Sequence, residues 1–476
     1  MEYLISEIAL VLVVLSFIVK VFKYVPNCAG FLKGLIVYLP PDGEKISQAL
    51  ANPQKFVLSC GHIDENFAKN SPFFADSEYL VLIGGFGGIC VSFGIFLNYL
   101  TGFSLNISFY LALMIFVFSV KGAYSQFKQS GFRNPDNWMG LFYSMTILCF
   151  SSMLLYIDHY EYFDFNFHFS LTLLGLQITS VVYQHLSIVI SINPLLFSIS
   201  FSLFLALLIF PYFKYLFRST LNYFATKESP FKIEGVKATS PLYKYTFVMP
   251  VIISLLWVKW VSQVCGMVVG ETCWEHLRVG FVVFYSLVRI YQLRTEVQVL
   301  LDQGKSLVYE IIRTKNKEDR QELELQCKAI GAYAWPLAHQ SLSCSFLILS
   351  LCLLLLCKSQ LNLPYPKPLI STNTESSSIN QYDENEFIFD TTAIVTPSMS
   401  VSYFKEIKDL EDLIKLQKSE KVPFIKALEK ITQLQLVPSF FYRDFFEYTI
   451  WLYHFSTVLA IGLTLLYKKR FHKSQT

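Results

Sequence analysis

Long apolar stretches alternate with polar, charged connections along nearly the whole chain. Nine of these stretches hold the roughly 20 mostly apolar residues that a helix needs to cross about 30 Å of hydrocarbon. They are Leu4–Phe22, Tyr79–Leu100, Ile107–Tyr124, Trp138–Ile157, Pro194–Phe213, Tyr245–Val264, Leu277–Leu293, Ile330–Cys357 and Tyr442–Tyr467. The pattern predicts an all-α protein, a polytopic transmembrane helix bundle with about nine spans.

The charges of the connections test this count, because cytosolic loops of membrane proteins carry an excess of Lys and Arg. Cations are concentrated in every second connection, for example after Lys20, between Lys214 and Lys244, and in the tail from Lys468. This alternation predicts an N-terminus outside and a C-terminus in the cytosol. A tenth crossing by the apolar segment Phe165–Ile192 would disrupt it, so we predict a re-entrant or interfacial segment there.

The spans divide the chain into six parts. These are an N-terminal membrane anchor (1–22), a cytosolic segment (23–78), the main bundle of spans two to eight (79–357), an external loop (358–441), the last span (442–467) and a basic cytosolic tail (468–476). The first segment lacks a basic n-region, so it fits a retained anchor better than a cleaved signal peptide. Residues 294–328 predict a cytosolic helical hairpin, and the external loop combines a disordered stretch with an amphipathic helix near Leu410.

Composition excludes several classes of function. Apolar residues make up 53% of the chain and charged residues 16%, below the roughly 25% charge of soluble proteins, so the lipid bilayer is the expected main partner. The net charge of +3 gives no basis for binding nucleic acid. Cysteine and histidine show no metal-site spacing, so we predict no metal and no cofactor. For Cys265 and Cys273, beside a short external connection, a disulfide and two free thiols both stay open.

Three short segments of the sequence each allow a purely structural interpretation and a functional one. Gly84 and Gly88 lie one turn apart inside the second span, which favours a close helix–helix contact over a dinucleotide loop. Asn106 begins the only N-glycosylation sequon, on the predicted outer side but close against two spans. The run from Asp158 to His168 holds acidic residues and histidines on the same side. We interpret this run as a solvated loop edge, with a divalent-cation site as the alternative.

Ionisable side chains inside the predicted spans indicate a site more strongly, because a charge in hydrocarbon costs about 3 kcal/mol and needs a partner or water. Such polar residues occur in spans six to nine: Lys259, Arg278, Arg289, His339, Gln340, Glu447 and His454. Arg278 and Arg289 are eleven residues apart, about three turns, and so share one helix face. We predict that Glu447 approaches Lys259 or Arg278. Structural pairing and a pathway for ions or substrate both stay open, whereas the arginine spacing argues against a voltage sensor.

The same spans resemble a known family. The run from Pro250 to Lys259, which contains Trp257, resembles the Pro…Leu-Leu-Trp-Val-Lys span of the transmembrane protein 161 family. The family's arginine-bearing span is similar to the sequence that follows, at Leu277-Arg278, Leu287-Val288-Arg289 and Leu293-Arg294, and Gln340 and Arg443 also match. The resemblance runs from about Glu78 to the C-terminus and is strongest over Tyr245–Cys357. Glu447 and the run from Asp158 to His168 have no clear counterpart.

This resemblance implies a multi-pass protein without assigned enzymatic activity that is associated with regulating membrane excitability and ion currents. We therefore expect a non-enzymatic membrane protein that modulates ion currents through partners such as ion channels. The alternative is that the chain is itself a channel or transporter, with the intramembrane polar residues as its pathway. An intramembrane enzyme built on His339 or His454 is the weakest hypothesis, because no second catalytic group stands at a fixed spacing from either. The plasma membrane and endomembranes fit the sequence equally.

Overall fold

The computed structural model describes most of the apolar part of the chain. The described residues are 29–47 except 45, 58–101, 106–130, 135–156, 162–165, 194–228, 241–314, 316–359 and 439–472, with single positions at 16, 20, 170, 171 and 174. Most of the predicted first span, the external amphipathic helix and most of the segment 165–192 therefore lie outside the described residues. The predictions made for those three segments stay predictions.

Helices dominate the described part, as the apolar pattern predicts. In chain order the elements are α1 (Ala29–Leu32), β1 (Ile36–Tyr38), β2 (Cys60–His62), α2 (Glu65–Lys69), α3 (Phe74–Thr101), α4 (Asn106–Ser130), α5 (Pro135–Tyr156), α6 (Pro194–Glu228), α7 (Pro241–Leu256), α8 (Lys259–Val269), α9 (Glu271–Arg313), α10 (Lys317–Ser359) and α11 (Ser439–His472).

Among the described residues, six helices are long and apolar enough to cross a membrane, namely α3, α4, α5, α6, α10 and α11. This composition is that of an integral membrane protein in a lipid bilayer. The finer count of nine spans stays a prediction. Of the other three predicted spans, the first lies almost wholly outside the described residues, the sixth is divided between α7 and α8, and the seventh belongs to the more polar α9.

The sixth predicted span, Tyr245–Val264, is not one unbroken helix. α7 ends at Leu256 and α8 begins at Lys259, and Val258 between them is extended, with φ −73° and ψ 125°. The backbone N–H of Lys259 donates to the Tyr162 carbonyl over 2.9 Å, and that of Asp164 donates to the Trp257 carbonyl over 3.0 Å. These bonds replace the missing intrahelical ones, so the helix can stop without leaving buried backbone groups unpaired.

The helices α9 and α10 form the centre of the bundle. They are joined by residues 314–316 and run antiparallel, since Arg289 contacts Cys344 while Ser341 contacts Glu296. The apolar positions that predict a hairpin over 294–328 face inward, for Val297, Val308 and Ile311 are fully buried. Burial of this apolar stripe explains why α9 and α10 continue to pack against each other beyond the ends of the apolar spans. The cytosolic position of the hairpin stays a prediction.

The helices α5 and α6 are also antiparallel. The ring of Tyr143 stacks on Phe213 with 4.3 Å between centroids, and the Ser202 hydroxyl donates to the Ser151 hydroxyl over 3.0 Å. The end of α5 at Tyr156 and the start of α6 therefore lie at the same face of the bundle. The connection between them leaves and returns on one side, which fits a re-entrant or interfacial segment and not a single tenth crossing.

A glycine lets α3 and α10 approach closely, as the sequence predicts for Gly84. A Cβ atom built on Gly84 would lie 2.5 Å from the ring of Phe346 in α10, which is closer than carbon atoms can pack. Gly88 one turn later is less constrained, since its nearest neighbour would be Leu349 at 3.9 Å. The contact that requires glycine is therefore at Gly84, and Gly88 only adjoins it.

We expect Gly84→Ala to lower the free energy of unfolding by about 1–3 kcal/mol, because the added methyl group forces the Phe346 ring to move. The control is Gly85→Ala, the neighbouring position, where a Cβ would meet no atom within 4 Å. Thermal unfolding in detergent should show a loss for the first variant and none for the second. Equal effects of both substitutions would contradict the close contact.

The strand β1 packs on the polar end of α9. β1 pairs antiparallel with β2, with Ile36 opposite His62. The carboxamide of Gln298 holds β1 to α9, since it accepts from the Ile36 N–H over 3.0 Å and donates to the Ile36 carbonyl over 3.2 Å. The same amide donates to Asp302 Oδ1 over 2.8 Å, while Asp302 Oδ2 has no hydrogen-bond partner among the described residues.

Burial raises the pKa of Asp302 above its ordinary value of 3.8, against the opposing effects of its hydrogen bond from Gln298 and of Lys305. Burial and the Asp302 carboxylate also raise the pKa of Tyr38 to about 12. An acid whose pKa is higher when folded stabilises the fold while it is protonated, and this stabilisation is lost as pH rises through the raised pKa. We therefore expect the thermal unfolding midpoint of wild type to fall as pH rises from the ordinary value of 3.8 through the raised pKa of Asp302, and the Asp302→Asn variant to show a smaller fall. A parallel pH profile for wild type and variant would contradict this.

Candidate functional site

The first buried charge network surrounds Arg278, near the start of α9. Its guanidinium is fully buried and donates through Nη1 to Asp164 Oδ2 over 2.7 Å and through Nη2 to Glu447 Oε1 over 3.0 Å. The same guanidinium lies over the ring of Trp257, 5.0 Å from its centroid. Arg278 thus joins three parts of the chain that are distant in sequence: the segment 162–165, the break between α7 and α8, and α11.

The Glu447 carboxylate accepts further hydrogen bonds in the same network. The indole Nε1 of Trp257 donates to Glu447 Oε2 over 3.3 Å, and Arg443 Nε donates to Glu447 Oε1 over 3.3 Å. Arg443 in turn forms an ion pair with Glu275. The predicted approach of Glu447 to Arg278 is confirmed by these contacts. Its ion pairs are with Arg278 and Arg443, whereas Lys259 begins α8 with its side chain partly exposed.

The interpretation of the run from Asp158 to His168 as a solvated loop edge is wrong for Asp164, and the other acidic residues and histidines of the run lie outside the described residues. Besides Arg278, Asp164 accepts a hydrogen bond from the Ser262 hydroxyl over 2.8 Å, and Trp274 Nε1 donates to Ser262 over 2.9 Å. No sequence pattern near Asp164 distinguishes it from its neighbours, so only the fold shows this role. The charged residues of this network, which we call the Arg278 network, are Arg278, Arg443, Asp164, Glu275 and Glu447, two cations and three carboxylates.

A second network surrounds Arg289, about 16 Å further along α9 at about 1.5 Å per residue. Arg289 donates to the hydroxyl of Tyr215, and its guanidinium lies 5.2 Å from the centre of that ring. The Tyr215 hydroxyl bonds both carboxylate oxygens of Glu296, at 2.7 and 2.8 Å. Glu296 also accepts from the hydroxyls of Ser219 and Ser341. We call this set the Arg289 network.

Glu296 and Tyr215 are absent from the candidate residues predicted from sequence. A usable indication exists for Glu296, because it stands eighteen residues after Arg278 and seven after Arg289, and eighteen residues make five full helical turns. All three charges therefore share one face of α9. The span boundary predicted at Leu293 hid this periodicity, since it placed Glu296 in the hairpin. Tyr215 offers no such indication, because tyrosines are frequent throughout the chain.

His454 lies in α11 between the two networks. Its ring is fully buried, 5.5 Å from the ring of Tyr285, which is one turn from Arg289. The Nδ1 atom is 2.7 Å from the Ile450 carbonyl, an acceptor only, so Nδ1 carries the proton and donates. In the neutral imidazole Nε2 then presents a lone pair, and it has no hydrogen-bond partner among the described residues.

The networks are packed with little free volume beside them. A cavity of about 20 Å³ adjoins the Arg289 network and is lined partly by Ser219, Thr246 and Gln292. A cavity of about 10 Å³ adjoins Glu447 and Arg443. A water molecule needs at least about 10–15 Å³, so the first cavity has room for one water and the second is at the limit. Gln292 Oε1, which has no protein partner in the described part, is a suitable acceptor for that water.

His339 and Gln340 occupy different surroundings. His339 is buried, stacks on Phe73, and donates from Nε2 to the Gly122 carbonyl over 3.0 Å, while Ser77 lies 2.8 Å from Nδ1. Both ring nitrogens are thus engaged in joining α3, α4 and α10. Gln340 lines a larger cavity with Lys214 and Arg218, and no member of either network is among the described residues that line it.

The remaining predicted residues have simple outcomes. Cys265 and Cys273 are free thiols, so the disulfide alternative is wrong; they lie on α8 and α9, on either side of Gly270. Cys265 packs partly against the core and Cys273 is exposed, which leaves the two side chains in different environments. Asn106 is the first residue of α4, and its glycosylation stays a prediction. Within the described ranges no group of His, Cys, Asp and Glu side chains has the arrangement of a metal site.

Comparison of the chain with models of known protein families, with characterised proteins and with solved structures gives no match. The resemblance to the transmembrane protein 161 family therefore stays a hypothesis based on the motifs around Trp257, Arg278 and Arg289.

Proposed function

We propose that this chain is a non-enzymatic multi-pass membrane protein that modulates ion flux through partner membrane proteins such as ion channels. The observation that supports this is the pairing of its buried charges. Arg278 and Arg289 are each bonded to the protein's own acceptors, and the cavities beside them, about 20 and 10 Å³, are too small for a hydrated ion. Such networks hold helices together and transmit a change at one helix to its neighbours.

The orientation belongs to the same proposal. The C-terminal ends of α4, α6, α9 and α11 carry many of the described cations, and the positive-inside rule assigns this end to the cytosol. The hairpin formed by the ends of α9 and α10 is then cytosolic, while the break between α7 and α8 lies near the outer face. The hairpin is the part that cytosolic regions of a partner protein can reach.

Ion flux into liposomes tests the proposal most directly. Purified protein alone should give flux at the level of empty liposomes, while expression in cells should change the density of native ion currents. Flux well above background from the purified protein would overturn the proposal.

A second function, an ion channel or transporter in its own right, is favoured by one observation. The break at Trp257–Val258 lies directly against Arg278 and Glu447. Discontinuous helices with exposed backbone groups form the substrate sites of many transporters. If this function holds, liposomes should show flux that is lost when both Arg278 and Glu447 are neutralised in a folded double variant.

A further inference from the structure

A cavity of about 500 Å³ opens at the basic end of the bundle, between α6, α9, α10 and the residues that precede α3. Ligand sites typically measure about 300–1,000 Å³, so this cavity has the volume of a binding site. The charged side chains among the described residues that line it are Lys214 and Arg218, and no carboxylate is among them. The described part of the lining therefore carries two cationic side chains, which suit an anion.

The cationic wall is organised by the helical repeat of α6. Lys214, Arg218 and Asn222 are four residues apart and so lie on one helix face. The guanidinium of Arg218 lies over the ring of Tyr333 in α10, 4.9 Å from its centroid, which directs it along the cavity wall. Asn222 Oδ1 accepts from Gln303 Nε2 over 2.9 Å, and this contact leaves the Asn222 amide group as a donor. Gln340 adds a second carboxamide to the lining.

The depth of the cavity matches the head-group layer. Lys214 and Arg218 stand twenty and twenty-four residues after the start of α6 at Pro194. At about 1.5 Å per residue these positions are about 30 and 36 Å along the helix, where a hydrocarbon core of about 30 Å ends. Tyr333 stands twenty-four residues before Cys357, at the same level counted along α10. Tyrosine is enriched at this level in membrane proteins.

We propose that this cavity binds the phosphorylated head group of an anionic membrane phospholipid. Arg218 and Lys214 would take the phosphate oxygens, Arg218 as a fork of donors and Lys214 as a point charge. The carboxamides of Asn222 and Gln340 would donate to head-group oxygens. The same phosphate chemistry is found in soluble anions, but the apolar part of the wall, with Leu300, Ile330 and Leu337, fits the glycerol and upper acyl region of a lipid. This site is independent of whether the protein modulates ion flux.

The test measures binding of purified full-length protein to lipid vesicles. Phosphatidylcholine vesicles containing a phosphoinositide should bind it, and phosphatidylcholine vesicles alone should not bind above background. Soluble inositol phosphate and inorganic phosphate should compete only weakly. The variant Lys214→Gln with Arg218→Gln should lose roughly thirtyfold in affinity for the phosphoinositide vesicles. Each cation near the membrane surface contributes roughly fivefold to sixfold, and the two factors multiply.

A matched control removes two cations from the same end of the molecule but outside the cavity. The variant Lys317→Gln with Lys328→Gln has the same change in charge at two exposed positions. It should keep nearly all of the affinity. If it loses as much as the cavity variant, the binding is diffuse attraction to the surface and the proposal is overturned. Competition by inorganic phosphate at the same concentration as the lipid would also overturn it, because the ligand would then be a soluble anion.

A third variant separates binding from folding. Ala332→Trp fills the cavity from an exposed position and leaves both cations in place. It should elute as the same monodisperse species as wild type and should lose at least about tenfold in affinity. Full affinity of this variant would exclude the cavity as the site, even if the charge variant fails to fold.

Discussion

Replacing Arg278 with methionine should lower the free energy of unfolding by about 3–5 kcal/mol, the largest loss expected from a single change in this protein. The guanidinium is fully buried, and its loss leaves Asp164 and the nearly buried Glu447 without their shared cation. Methionine keeps most of the side-chain volume, so the loss is chiefly electrostatic. Unfolding in detergent, followed by tryptophan fluorescence, measures the effect.

A double-mutant cycle with Glu447→Gln isolates the pair. The double variant should be more stable than the sum of the single losses predicts, because neither charge of this pair then faces the vacated position of the other. Asp164 still loses Arg278 in this variant and Arg443 still loses Glu447, so part of the destabilisation remains. The control is Lys33→Met, which removes an ion pair to Glu65 at the surface, with side chains 63% and 54% exposed. That change should cost less than about 1 kcal/mol. Additive losses for Arg278 and Glu447 would show that the two charges are not coupled.

Replacing Glu296 with glutamine should cost roughly 3 kcal/mol, the second largest effect. The carboxylate accepts from three hydroxyl groups and is joined through Tyr215 to the buried cation of Arg289. Glutamine keeps one side-chain oxygen and replaces the other with an NH₂ donor. Hydroxyl groups that donate to the second oxygen lose their acceptor, and Arg289 loses its counter-charge. The expected loss is below that for Arg278 because Glu296 and Arg289 are linked through a hydroxyl group.

Two further variants show which part of that network matters. Glu310→Gln changes an exposed carboxylate on the same helix and should leave stability within about 0.5 kcal/mol of wild type. Tyr215→Phe keeps the ring beside Arg289 but removes the bridging hydroxyl, and should cost about 1.5–3 kcal/mol. If Glu296→Gln is as stable as Glu310→Gln, Glu296 does not act as the counter-charge.

The sequence indicates the helical bundle well, because the bilayer imposes a simple rule of length and polarity on each span. The six apolar helices of the described part lie where that rule predicts them, and the close approach at Gly84 follows from the same pattern. The pairing of Glu447 with Arg278 can also be predicted from the sequence, since an isolated charge in a span requires a partner.

The rest depends on contacts that no local pattern records. Trp257 and Val258 sit in an apolar run that favours an unbroken helix, and only the segment 162–165, nearly a hundred residues earlier, makes the break stable. Asp164 gains its role from that same pairing. Tyr215 is one of 28 tyrosines in the chain, and its position opposite Arg289 follows from how α6 packs against α9. Pairing between distant elements thus sets the site, whereas local apolarity sets the scaffold.

The backbone pairing of Phe163 with Val258 also limits when the break between α7 and α8 can form during insertion into a membrane. Residues 162–165 leave the ribosome long before residues 257–259, so their backbone groups need water or interfacial partners until the later segment arrives. Conversely, residues 245–264 entering the membrane alone would form the continuous helix that their composition favours. We expect the helix to break only after the bundle assembles, which makes the Arg278 network a late product of biogenesis and not its starting point.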